Sequence, residues 1–187
     1  MHLVDMEVVT RMVARDAPDV IASAAAGDEI AFRRIIAEHH DDMRRVCSYV
    51  TRDEAIAEEA AQAAWSVAFK RIGSLREPAS LRPWLIKVAV NEAKQILRKR
   101  RRRAEIEVSN DATAEPGGID PATGVAAIDL RAAVERLDPD DRALIAMRYI
   151  AGFDSNELAL ATGKTPAATR QRLKRLLDRL RQDLSDG

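Results

Sequence analysis

Six consecutive cations, Arg98, Lys99, Arg100, Arg101, Arg102 and Arg103, close a stretch that also carries Trp84 and Asn91. Together these residue types suit recognition of a polyanion. Cations neutralise phosphates and release condensed counterions. An aromatic ring stacks on an unpaired base, and a side-chain amide reads a base edge. The run alone fits DNA, RNA or an anionic membrane, and taken singly Trp84 reads as core and Asn91 as a solvent-facing residue. A second cationic segment, residues 164–181, has seven basic side chains against one acidic. Nothing comparable points to bond-making chemistry. The chain has three histidines (His2, His39, His40), one thiol (Cys47) and no glycine-rich phosphate loop. Adjacent His39 and His40 point to different sides of a helix and make a poor metal pair. No catalytic residue, metal or cofactor is expected.

These cationic segments are hidden by a net charge of zero over 187 residues. Residues 1–69 sum to −6, residues 70–103 to +10 and residues 104–124 to −5; residues 125–163 sum to −3 and residues 164–181 to +6. Polyanions respond to local fields rather than the average. Apolar residues make up 47% of the chain, enough for a packed core, while aromatics make up 4%. With few glycines and prolines, that balance predicts an all-α protein. One cysteine excludes a disulfide framework. No apolar run approaches the roughly 20 residues of a membrane span, and no signal peptide is visible. A cytoplasmic setting without membrane contact is expected.

Residues 104–124 (AEIEVSNDATAEPGGIDPATG) combine Pro116, Gly117, Gly118, Pro121 and Gly124 with no apolar periodicity. They predict an acidic flexible linker between two small helical domains, residues 19–103 and 125–187, after an N-terminal extension of residues 1–18. In the first domain, Ile30–Val50 has helical periodicity. A second helix follows the Asp53 cap to about Ile72, with one stripe of Ile56, Ala60, Ala63 and Val67 and another of Trp65, Phe69 and Ile72. Burial of both stripes is the simpler expectation, docking of one on a partner the sharper. Pro83 suits the first turn of the helix that leads into the cationic run. In the second domain, a short amphipathic helix (Val125–Leu137) precedes the helix start Asp138-Pro139-Asp140-Asp141. Asp154-Ser155-Asn156-Glu157 forms a capping box, and Gly163 ends that short helix before a basic one capped by Thr165. Short helix, tight turn and capped basic helix make a helix-turn-helix pattern. Thr165, Thr169, Arg170 and Lys174 would approach base edges, and Arg172, Arg175 and Arg179 would meet phosphates.

Three stretches in order give the chain a family resemblance. They are Ala26-Gly27-Asp28-Glu29-Ile30-Ala31-Phe32; Pro83-Trp84-Leu85-Ile86-Lys87-Val88-Ala89-Val90-Asn91-Glu92-Ala93 with its basic run; and Leu137-Asp138-Pro139-Asp140-Asp141-Arg142 through Arg148-Tyr149 with the helix-turn-helix. Over about residues 20–184 the chain resembles the extracytoplasmic-function group of bacterial RNA polymerase sigma factors. The resemblance implies core RNA polymerase and promoter DNA as partners, and it admits an anti-sigma factor. It implies that Glu58, Glu59, Gln62 and Trp65 bind polymerase. Leu81, Trp84, Lys87, Asn91 and Arg98 would hold the melted minus-ten strand, with Asn91 at the flipped base. Thr165, Thr169, Arg170, Arg172, Lys174 and Arg175 would read the minus-thirty-five duplex. Ala60, Ala61 and Ala63 stand where the family carries larger apolar residues and a carboxylate. A free-standing helix-turn-helix regulator that never needs polymerase, and a structural helical adaptor, are the competing readings.

Overall fold

The computed structural model describes residues 20–107, 132–134 and 136–185. Among the described residues every regular element is helical and none is a strand. The extension 1–18 and the linker lie outside them, apart from residues 104–107, which continue a helix. Of the expected 125–137 helix only 132–134 are described as helical.

A short helical stretch over residues 20–25 leads into α1, Glu29–Thr51. The Asp28 carboxylate accepts from the amides of Ile30 (2.8 Å) and Ala31 (3.2 Å), satisfying donors that the first turn leaves open. The helix stops at Arg52, whose φ of 62° is left-handed and whose N–H donates to the Ser48 carbonyl at 2.8 Å. Next, α2 covers Glu54–Arg71, and Asp53 accepts from the Ile56 amide at 3.0 Å. After two single 3-10 turns, α3 runs Leu81–Glu107 and carries the whole cationic run.

These three helices form one core. Met43, Val46, Cys47 and Val50 of α1 meet Leu85, Ile86, Ala89 and Ala93 of α3, all buried. Between them α2 turns inward a face of Ile56, Ala57, Ala60, Ala61, Ala64, Trp65 and Ala68. This corrects the expected stripe: Ala63 and Val67 are half-buried, while Ala57, Ala61, Ala64 and Ala68 take the inner positions. Small side chains let helix axes approach closely, so these alanines set the spacing of the bundle. Cys47 is fully enclosed, and burial pushes its thiol up to about 12, which keeps it inert.

The second module begins at α4, Pro139–Ile145, where the Asp138 carboxylate accepts from the amides of Asp140 and Asp141, each at 2.9 Å. It continues as one π turn, Ala146–Ile150, and ends near Gly152 at φ 70°. A full capping box between Asp154 and Glu157 starts α5, Ser155–Thr162. Gly163 (φ 67°) makes the tight turn to α6, Pro166–Ser185, a conformation a Cβ would strain. Leu144, Phe153, Leu158, Leu176 and Leu180 are its core.

Candidate nucleic-acid interface

Residues 84, 87, 91, 94 and 98 of α3 recur at three- and four-residue steps, which places them on one face of the helix. The cationic run extends that face. Asn91 and Arg98 are exposed, while Trp84, Lys87 and Lys94 are half-buried. Among the described residues no hydrogen bond engages the Asn91 amide. Leu81, the first residue of α3, is only 7% exposed. It is turned into the core at the start of the helix, beside the stripe. Lys94 belongs to the stripe as well, at the spacing set by Lys87 and Asn91. The run is partly compensated from within. The Arg100 guanidinium lies 3.7 Å from both Asp53 and Glu59 of α2.

On α2 the outward residues are Ala55, Glu59, Gln62, Ser66 and Phe69, again at helical steps. Glu58, half-buried beside them, accepts from the Gln62 amide at 2.8 Å and lies 3.5 Å from His40 Nε2. Trp65 is not on this surface. It is 8% exposed, packs edge-on against Phe32 at 5.9 Å between ring centres, and donates its indole N–H to His40 Nδ1 at 3.1 Å. That chain from Trp65 through His40 to Glu58 fixes the imidazole with its proton on Nε2. Trp65 therefore positions Glu58 from within the core, and Phe69, half-exposed at 51%, is the aromatic on the outer face. Sequence periodicity grouped Phe69 with the buried stripe, because an edge position differs from an inner one by a single helical step. Ala60 and Ala61 are fully buried, so the family's larger residues there bear on helix packing, not on this surface.

In the second module, α6 divides into two faces. Thr169 is 2% exposed and its hydroxyl lies 3.4 Å from that of Thr162 in α5, so it packs the helix pair and cannot reach a base edge. Thr165 is exposed, but its hydroxyl accepts from the Ala168 amide as the helix cap (3.2 Å). Arg172 and Arg179 both turn back to Asp141 of α4, at 2.8 and 2.7 Å. Burial alone would raise the Asp141 carboxyl, yet the two guanidinium hydrogen bonds and charges outweigh it and hold the group below its ordinary range. These two arginines thus tie α6 to α4 through Asp141. The outer face is Arg170, Gln171, Lys174 and Arg175, all exposed or at its edge, and no ion pair engages its three cations among the described residues. Gln171 was missed because an isolated glutamine gives no pattern until the helix face is known.

The ionisable groups around α1 tie stability to pH in two windows. His39 lies below its ordinary 6.5, first through burial and then through Arg82, against the raising effect of Glu38 and Asp42. The unfolded chain therefore takes up that proton more readily, and stability is lost as pH falls from about 6.5 towards the folded value. Asp42, Asp140 and Asp141 also lie below their ordinary 3.8, so their contribution is complete above that value and is lost as pH falls further. Thermal melts from pH 8 to pH 3 should show two stages of loss, and His39→Asn should shrink the upper one while leaving the lower. An unchanged upper stage would remove His39 from that role.

No group of three or more His, Cys, Asp or Glu side chains is placed to hold a metal among the described residues. No described helix is long and apolar enough to cross a membrane. The Sigma-70 region 2 family matches residues 35–103, and Sigma-70, region 4 matches residues 127–180. The chain is 32% identical over 170 residues to the probable RNA polymerase sigma factor RfaY of Xanthomonas campestris pv. campestris, covering 86% of this chain and 42% of that one. It thus spans less than half of that relative's length. It is 25% identical over 166 residues to the ECF RNA polymerase sigma factor SigM of Mycobacterium tuberculosis, covering 89% of this chain and 83% of that one. Among solved structures, the sigma factor RpoE of Bartonella quintana, in complex with the anti-sigma factor NepR, shares the fold at a TM-score of 0.65 and 20% identity, over 82% of this chain and 96% of that one. With region 2 matched on the module of the α3 stripe and region 4 on the helix-turn-helix, the chain belongs to the extracytoplasmic-function group of the sigma-70 family.

Proposed function

We propose that the two modules divide one promoter between them. Residues 19–103 hold core RNA polymerase with the outer face of α2 and hold the melted minus-ten strand on the α3 stripe. Residues 125–187 read the minus-thirty-five element as duplex with the outer face of α6. Residues 104–124 tether the two, and residues 1–18 precede them. The observation that carries this reading is the single face of Trp84, Lys87, Asn91, Lys94 and Arg98, continuous with the cationic run, in the module that matches region 2. Opening a duplex costs a few kcal/mol per extruded base. Only a surface that binds the open strand better than the duplex shifts that equilibrium. One stacking platform returns ~1–3 kcal/mol per base, which is the right order.

On this reading the polymerase performs the chemistry and the chain contributes no catalytic group. It works in the cytoplasm, without a cofactor. Glu59, Gln62 and Phe69 are the polymerase contacts, with Glu58 and Trp65 acting behind them. The complex formed by RpoE makes an anti-sigma factor a reasonable third partner. The test is run-off transcription with purified chain and core polymerase over a promoter library from its own genome. Initiation at defined sites that vanishes without the chain is expected. Binding to closed duplex without polymerase, and no initiation while a control sigma factor is active, would instead favour a free-standing regulator.

A further inference from the structure

Three side chains of α2 and one of α1 form a series that runs from the core to the surface. Trp65 donates its indole N–H to His40 Nδ1 at 3.1 Å. On the other edge of the ring, His40 Nε2 faces one Glu58 oxygen at 3.5 Å. The second Glu58 oxygen accepts from the Gln62 amide at 2.8 Å. Trp65 is buried, the side chains of His40 and Glu58 are 28% and 40% exposed, and Gln62 lies open to solvent. Only one neutral form of the imidazole suits both neighbours. The indole can only donate, so a proton on Nδ1 would set two donors face to face; the ring proton belongs on Nε2, towards the carboxylate. Packing does not require this arrangement. Arg44 bonds Glu54 at 2.8 Å and the Ser48 hydroxyl donates to the same carboxylate, which ties α1 to α2 one end further along, above the buried Met43, Val46, Cys47 and Val50. His40 is thus held at both ring nitrogens without being needed to close the core.

We propose that His40 is a positioning residue for polymerase docking: through Glu58 it sets the side-chain geometry of the outer face of α2, and Trp65 sets the imidazole in turn. The proposal rests on the reading of that face as the polymerase contact. Its physical basis is preorganisation. A long side chain that samples several rotamers must be ordered when a partner binds, and that ordering weakens the complex. Glu58 is held from both sides before any partner arrives, by the imidazole of α1 and by the Gln62 amide one helical turn on. Gln62 is held by the same bond. Members of such a chain act together, so the loss of one is felt by the others. His40 is the member that α1 contributes, and it is the link between an enclosed donor and an exposed acceptor.

The test is the affinity of the full-length chain for core polymerase across a set of His40 variants. His40→Leu removes both nitrogens and should weaken holoenzyme formation about threefold to tenfold, the effect of ordering one freed side chain. The two amide variants separate the edges of the ring. Glutamine sets its amide where Nε2 stands, so His40→Gln should recover most of the loss. Asparagine sets its amide where Nδ1 stands, so His40→Asn should stay weak although it keeps a partner for Trp65. A residue that only fills space would order these variants by volume and melting temperature instead, and that order overturns the proposal. In a Glu58→Ala background His40→Leu should cost nothing further; losses that simply add also overturn it. Imidazole nitrogen NMR of the free chain should show the neutral ring protonated on Nε2, with a mixture of forms in Trp65→Phe. A ring protonated on Nδ1 in the parent chain overturns the relay. Normal binding by the parent and by His40→Leu alike sinks the positioning role alone. Failure of the parent itself to bind core polymerase, while a control sigma factor binds, sinks the docking-face reading beneath it.

Discussion

Asn91→Ala should cut open-complex formation by the holoenzyme by about tenfold to a hundredfold while leaving closed-complex binding almost unchanged. The magnitude follows from what one base contact contributes, ~1–3 kcal/mol in discrimination or stacking, at roughly 1.4 kcal/mol per factor of ten. The selectivity follows from geometry. Asn91 is exposed at the middle of the α3 stripe, no partner engages its amide among the described residues, and the core beneath it (Ala89, Val90, Ala93) does not depend on it. Its removal therefore costs recognition and little stability. Asn91→Asp is a sharper control, since it keeps the shape and sets a carboxylate against the strand. Permanganate reactivity of unpaired thymines reports opening, and retention of intact promoter duplex reports the closed complex. Equal loss of both would deny Asn91 a base-capture role and make it a general DNA contact. Fusing the promoter's minus-ten region into a permanent bubble should restore part of the activity of Asn91→Ala, because the cost of opening is then already met.

Much of this is legible in the order of residues alone. Asp28, Asp53, Asp138 and Asp154 stand where helices must start, and each caps in the structure as its residue type requires. Pro83, in the first turn of α3, and Gly163, between the helices of the second module, punctuate the chain by sterics alone. The tightly patterned elements are therefore readable from local chemistry. What is not readable is which side of a helix faces which neighbour. Ala63 and Ala64 are chemically identical, yet one is half-buried and the other fully enclosed, because only the docked α1 and α3 distinguish them. Trp65 turns inward and Phe69 outward for the same reason. Arg172 and Arg175 look alike in a basic helix, and only the position of Asp141, thirty-one residues upstream of Arg172, separates an anchor from an outward cation. The contact between Lys94 and Asp140 leaves no trace in the sequence: the pair spans forty-six positions and neither residue signals the other.

Arg170→Ala combined with Lys174→Ala should weaken holoenzyme binding to a duplex carrying the minus-thirty-five element by one to two orders of magnitude, whereas Arg172→Ala should chiefly lower stability. The two sets lie on opposite sides of one helix. Arg170 and Lys174 share the outer face with Gln171 and Arg175, and removing a base-edge hydrogen bond from that face costs ~1–3 kcal/mol. Arg172 instead gives Asp141 a hydrogen bond at 2.8 Å, and Asp141 is 8% exposed and also carries Arg179. Because the Arg172 side chain is itself partly exposed, its removal should cost about 1 kcal/mol rather than the larger value of a buried charge pair. Salt dependence separates phosphate contacts from the rest. Each phosphate contact contributes about 0.9 to the slope of log affinity against log salt. Arg175→Ala should therefore flatten the slope by about one phosphate, and Arg172→Ala should leave it unchanged. A slope lowered equally by Arg172→Ala would mean that DNA draws this arginine away from Asp141, so that the anchor seen between α4 and α6 breaks when the duplex binds. In that event Asp141→Asn, which releases Arg172 and Arg179 beforehand, should strengthen duplex binding while lowering the melting temperature. If the slope holds, Asp141→Asn should lower both, since a helix that is less well anchored presents Arg170 and Lys174 less accurately to the groove.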